Sequence, residues 1–149
     1  MVAKSYTQLV SEMNKSVSIA VKNASNRLLE VLKTFIQEDY YNMYEPLYYE
    51  RTNMFMSSAV AEMLGQTSAS IGISDAFMNY EYQANYRLQD NSNGHWTGED
   101  QVYMANAGFH GNAYIYRDGH FWKDFEDYCD KHALEILREE LRKAGLNIV

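Results

Sequence analysis

The chain has 149 residues, with 13 basic against 20 acidic side chains for a net charge of −7, one cysteine and one proline. Its length suits a single domain, 1–149, able to bury roughly 70% of its unfolded surface. The acidic balance argues against a face that neutralises phosphates along DNA or RNA. A lone Cys129 excludes an internal disulfide and fits a reducing compartment, and no window approaches the about 18 apolar residues of a membrane span.

Met1 to Gln8 lacks the apolar run of a secretory signal, so a chain not exported by that route is expected. From there, Leu9, Met13, Val17, Ala20, Ala24, Leu28, Val31 and Phe35 recur at intervals of 4 and 3, with Val10, Val21 and Leu32 beside them. The spacing predicts one face of a continuous helix, and Ser5 with Gln8 forms a capping-box pattern at its start. A helix of about 30 residues would be about 45 Å long, more than one small core covers. Part of its face must therefore meet a sheet or another subunit.

Residues 39–52 read Asp-Tyr-Tyr-Asn-Met-Tyr-Glu-Pro-Leu-Tyr-Tyr-Glu-Arg-Thr, packing five tyrosines, Pro46, three acids and Arg51 into one stretch. Pro46 lacks a backbone donor and turns Glu45 away from helical angles, so the helix ends before it. Met54, Met56 and Val60 hint at a strand over 53–60, although Phe55 and Ala59 interrupt the alternation. Gly65 breaks it, and Ile71 and Ile73 mark a second strand over 67–74. The alternation of Met78, Tyr80, Tyr82, Ala84, Tyr86 and Leu88 with polar residues predicts a half-buried strand, closed by the turn-forming Asp90 to Gly94.

Thr97 and Asp100 suggest the cap of a short helix through Ala107, with Gly108 as its C-terminal glycine, and Ala113 to Tyr116 form a candidate edge strand. From Phe121, apolar residues hold helical spacing to Leu141, and Gly145 is the expected stop. The resulting fold class is α+β, with a long N-terminal helix and a C-terminal helix packed on one face of a three- to four-stranded antiparallel sheet.

Chemical motifs are sparse. His95, His110, His120 and His132 show no helical metal spacing, and one cysteine cannot build a thiolate cluster, so neither metal nor cofactor is expected. Cys129 and His132 fall on the predicted packing stripe, where Asp124, Glu126, Asp127 and Asp130 surround the thiol with negative charge unsuited to a nucleophile. Two constellations stand out from bulk folding: Gly108-Phe109-His110-Gly111, and Asp118-Gly119-His120-Phe121-Trp122. Phe121 and Trp122 suit a core anchor and an interface knob equally well.

Taken together, the 39–52 element, Gly-Phe-His-Gly at 108–111, Phe-Trp at 121–122 and Leu-Arg-Lys-Ala-Gly-Leu at 141–146 resemble the small neck proteins of long-tailed bacteriophages, the tail-completion or tail-component proteins. The likeness runs through nearly the whole chain in the same order. It implies a non-enzymatic virion protein forming a homo-oligomeric ring, a hexamer, at the head-tail junction. It also implies head-side connector proteins and tail-tube or tail-terminator proteins as partners, with assembly in the host cytoplasm. Its structural or interface residues would be Tyr40, Tyr41, Tyr44, Pro46, Tyr48, Tyr49, Arg51, Thr52, Gly108, His110, Gly111, Phe121 and Trp122. Asn53 and Asn112 stand where the family pattern carries glycine, and asparagine tolerates left-handed backbone angles.

A net negative charge suits a protein beside a passage for DNA, and basic side chains lining such a channel would contradict that expectation. Two other readings compete. One is a small histidine- or metal-dependent enzyme using His95, His110 and His120, which a shared pocket or bound metal would favour. The other is an intracellular module with a peptide groove lined by the tyrosines, which a monomer without virion association would favour.

Arg51 lies in sequence among Asp39, Glu45 and Glu50, and a guanidinium can grip a carboxylate through two parallel bonds. Arg51→Lys is expected to impair assembly more than folding. Wild-type titres of infectious particles from such a phage would contradict this.

Overall fold

The structure, a computed structural model, describes residues 5–43, 45, 53–74, 98–108 and 120–148. Helix α1 spans Tyr6–Phe35 and opens with the expected capping box: the Gln8 amide donates to Ser5 Oγ at 3.2 Å, and the Ser5 amide donates to Gln8 Oε1 at 3.0 Å. Two of the four orphan amides of a helix start are thereby satisfied. The chain continues past α1 as a π-helical segment, Ile36–Tyr41. One extra residue per turn rotates the tyrosines relative to the α1 stripe, so that Ile36 and Tyr41 are both buried.

The strand expected over 53–60 is corrected. Residues Met54–Ser57 form a one-turn helix, α2, and strand β1 occupies Ala59–Met63. The reason lies in which residues are buried: Phe55, Ser58 and Ala59 share one face on a helical turn, whereas a strand would put Ser58 on the face opposite Phe55 and Ala59. Asn53 enters α2 at φ 55° and ψ 17°, the left-handed geometry expected of it, and its carbonyl accepts from the Ser57 amide and hydroxyl. Strand β2, Ala69–Ile73, pairs antiparallel with β1, Ala59 opposite Ile73 and Met63 opposite Ala69. Among the described residues the sheet has these two strands; the candidate strands at 78–88 and 113–116 lie outside them.

Helix α3, Gly98–Asn106, ends on Gly108 at φ 85°, as its glycine suggested. Helix α4, Phe121–Lys143, closes with Gly145 at φ 85°, the Gly145 amide donating to the Arg142 carbonyl and the Leu146 amide to the Leu141 carbonyl. That pair of bonds is a Schellman closure, which needs a left-handed residue at this position.

The molecule is α+β: α1 packs along α4 and across both strands of the hairpin. The core gathers Ala24, Leu28, Leu32 and Ile36 from α1 and its extension, Phe55 and Ala59 from the α2–β1 corner, Ala105 from α3, and Phe121, Phe125 and Ile136 from α4. Arg27 ties the two long helices by ion pairs to Glu139 (2.7 Å) and Glu140 (2.9 Å). The Glu140 side chain is only 4% exposed and also pairs with Lys143 at 2.6 Å.

The Lys143 ammonium pulls the Glu140 carboxyl below its ordinary range; burial pushes the other way, and hydrogen bonds from Arg27 and Asn23 add to the lowering. A carboxylate with a depressed folded-state pKa contributes stability above its unfolded pKa and loses it as pH falls through the folded value. Stability should therefore fall in acid, below about pH 4.5, and Glu140→Gln should flatten that part of the curve. Urea midpoints measured between neutral and acid pH check this, and parallel curves would contradict it.

Candidate functional site

The candidate site is the corner where the π-helical segment, α2 and the start of α4 meet. Its local sequence explains its shape: the π-helical turn brings Tyr40 and Tyr41 onto Phe55, and α4 begins by driving Phe121 into the same space. Tyr40 lies edge-on to Tyr41 (centroids 5.2 Å apart) and to Phe55 (5.1 Å), and Phe55 lies edge-on to Phe121 (5.5 Å). Such edge-to-face pairs each add about 0.5–1.5 kcal/mol beyond the area they bury. The Met56 amide donates to the Tyr41 hydroxyl at 3.4 Å, a long bond that places this half-polar side chain across the joint.

The two aromatics that open α4 divide the roles the sequence left open. Phe121 is fully buried and anchors the core, whereas Trp122 is half-buried, its ring on Phe125 (5.7 Å) and its indole N–H donating to Glu126 Oε1 at 2.9 Å. The Trp122 amide donates to Asn106 Oδ1 at 3.2 Å, so a side chain from α3 satisfies an orphan amide in the first turn of α4. Sequence reasoning missed Asn106, which no local pattern marks. It also missed Phe55, for which the break in the alternation of Met54, Met56 and Val60 was the available signal.

Of the residues singled out by the resemblance, Tyr40, Tyr41, Phe121 and Trp122 assemble here, and Gly108 caps α3 nearby in the chain. Tyr44, Pro46, Tyr48, Tyr49, Arg51, Thr52, His110 and Gly111 lie outside the described residues, as do His95 and Asn112.

Asp39 gives the corner its electrostatic character. Its Oδ2 is buried without a hydrogen-bond partner, and burial first, then the charges of Asp124 and Glu38, push its carboxyl up, while His120 pulls it down. An acid with a raised folded-state pKa is a liability above its unfolded pKa, and that liability disappears as pH falls and both states become protonated. Asp39→Asn should therefore stabilise the fold at neutral pH and lose its advantage below the ordinary carboxylate range. Equal midpoints for variant and wild type at pH 7 would contradict this.

Other chemical candidates are weak. Burial, then Asp130 and Glu126, push the half-buried Cys129 thiol up, so it is protonated at neutral pH and a poor nucleophile. His132 is exposed rather than on the packing stripe, a correction: its ring rests 4.5 Å from that of Tyr128 on the outer side of α4. Among the described residues no group of three or more His, Cys, Asp or Glu side chains is placed to hold a metal ion. A cleft of about 280 Å³ is lined by Lys33, Gln37, Asn53, Met56 and Ser57. Two of its polar side chains are already engaged, Lys33 with Glu30 and Gln37 with Asn42. No helix among the described residues is long and apolar enough to cross a membrane.

The class of protein follows from the comparison of the chain with known families. A family model described as YomN matches residues 5–143. The chain belongs to the YomN family, whose name is phage-derived, and is a phage-related protein. No curated protein and no solved structure matches it.

Proposed function

We propose that this chain is a structural, non-enzymatic phage morphogenesis protein that forms a ring at the head-tail junction, the neck or tail-completion position. The observation that carries the reading is the aromatic corner. The most distinctive element of the resemblance begins in side chains that join α1 to α2 and α4, where Tyr40 and Tyr41 serve as fasteners in a rigid scaffold. Membership of a phage-derived family supports the same setting.

A ring subunit needs two different patches that meet on neighbouring copies. The half-buried Trp122 is a candidate for one such patch. Head-side connector proteins and tail-tube or tail-terminator proteins would then contact the two faces of the ring.

Disrupting the gene in its phage tests this reading. Electron microscopy of the lysate should show filled heads and finished tails that have not joined. Joined, infectious particles at wild-type yield would overturn it.

A further inference from the structure

The apolar stripe of α1 is covered at one end only. Toward its C-terminus the stripe is buried at Ala20, Ala24, Leu28 and Leu32, but every residue from 6 to 15 is exposed. The α1–α4 register explains this. Phe35 meets Tyr128 and Arg27 meets Glu139 and Glu140, so α4, which ends at Lys143, runs out a few residues beyond Arg27. Residues 6–15 overhang by about 15 Å at the helical rise of 1.5 Å per residue.

We infer that this overhang pairs two copies of the chain: its apolar stripe packs against the same stripe of a second copy, a two-fold contact that closes a dimer. Three observations select a second copy as the occupant. Tyr6, Val10, Met13 and Val17 are spaced 4, 3, 4, the pattern of a seam by which a helix mates with a like helix, and the next position, Ala20, is buried within the monomer. The overhang carries one acid, Glu12, and one base, Lys15, so it is neutral on a chain of net charge −7. Two copies can meet there without the repulsion they face elsewhere.

Area is the third observation. Tyr6, Leu9, Val10 and Met13 are 83%, 49%, 36% and 47% exposed. Those fractions amount to about 400 Å² of apolar surface per copy, the size of patch that marks an interaction site on a monomer. Covered completely in both copies, these side chains would remove at most about 800 Å² of apolar surface, and flanking polar atoms must join the contact to reach the roughly 1,000 Å² that a specific contact needs.

Helix propensity points the same way. Thr7, Val10, Ser11 and Asn14 are indifferent helix formers, so this end frays more readily than the covered part of α1. Packing against a second copy supplies the missing stabilisation. The inference goes beyond the ring reading above, because a two-fold pair is closed and the contacts that run round a ring use other surfaces.

Sedimentation equilibrium of the full chain over a wide concentration range tests it. The wild type should self-associate, and Met13→Glu, which puts a charge in the seam, should weaken association by about tenfold or more. Ile19→Glu, on an exposed site away from the seam, should leave it unchanged; thermal melts confirm that each variant folds, and Val10→Glu replaces Met13→Glu if that variant does not. Hydrogen exchange should protect the amides of residues 6–15 in the associated form and not in the monomer. A wild type that stays monomeric throughout, or whose stripe is protected only by another virion protein, overturns the inference. A wild type that associates equally well with Met13→Glu also overturns it, while leaving a ring built through another surface intact.

Discussion

Phe121→Ala should destabilise the protein by about 3–5 kcal/mol, the range for deleting a fully buried aromatic ring. Phe121 has no exposed surface and is the first residue of α4, where it meets Phe55 edge-on. Its loss leaves a cavity at the junction of three elements and removes the ring that holds α2 against α4. His120 makes no side-chain cap bond at the start of α4, and the bond from the Trp122 amide to Asn106 depends on α3 staying in place. Against a typical net stability of about 5–15 kcal/mol, this one change takes a third or more of the total. Urea unfolding followed by circular dichroism measures it, and a loss under about 1 kcal/mol would show that the corner is not part of the cooperative core.

Leu32→Ala should cost about 2–5 kcal/mol, and Leu9→Ala about 0.5 kcal/mol or less, in the isolated monomer. Both leucines belong to the apolar pattern of one helix, yet Leu32 is fully buried and Leu9 is 49% exposed. Leu32 sits in the cluster that joins α1 to Phe55 and the start of α4, so removing its branched end opens a void that neighbours cannot fill without moving a helix. Around Leu9 no such enclosure exists. The contrast is diagnostic because sequence position on the stripe is alike and only coverage differs. Equal costs at both positions would mean that the overhang is covered within the monomer.

Features set by near neighbours along the chain are legible in the amino-acid sequence. The Ser5–Gln8 capping box, the glycine stops at 108 and 145 and the left-handed Asn53 each depend on a few adjacent residues, and each stands where expected. The length of α1 is legible for the same reason, because apolar periodicity accumulates over thirty residues. Features set by distant partners are not. Arg27 finds Glu139 and Glu140 across more than a hundred residues, Asn106 caps a helix to which it does not belong, and the π-helical turn depends on packing that no local pattern records.

The candidate site is half legible in the same sense. The tyrosine stretch signals a junction, and Tyr40 and Tyr41 take their place in it, one half-buried and one buried. Phe55 is misread because Met54, Met56 and Val60 outvote it in a short window where helix and strand periods are hard to separate. Over-length of α1 demands a partner for its apolar face, but only the register against α4 shows that the uncovered end is the N-terminal one.

The most direct test of the account is to locate this chain in purified virions of its phage by cryo-electron microscopy, with a tag on the chain to mark its copies. The account predicts a closed ring of identical copies between head and tail. A chain missing from the virion, or bound there as isolated copies away from the neck, would contradict it.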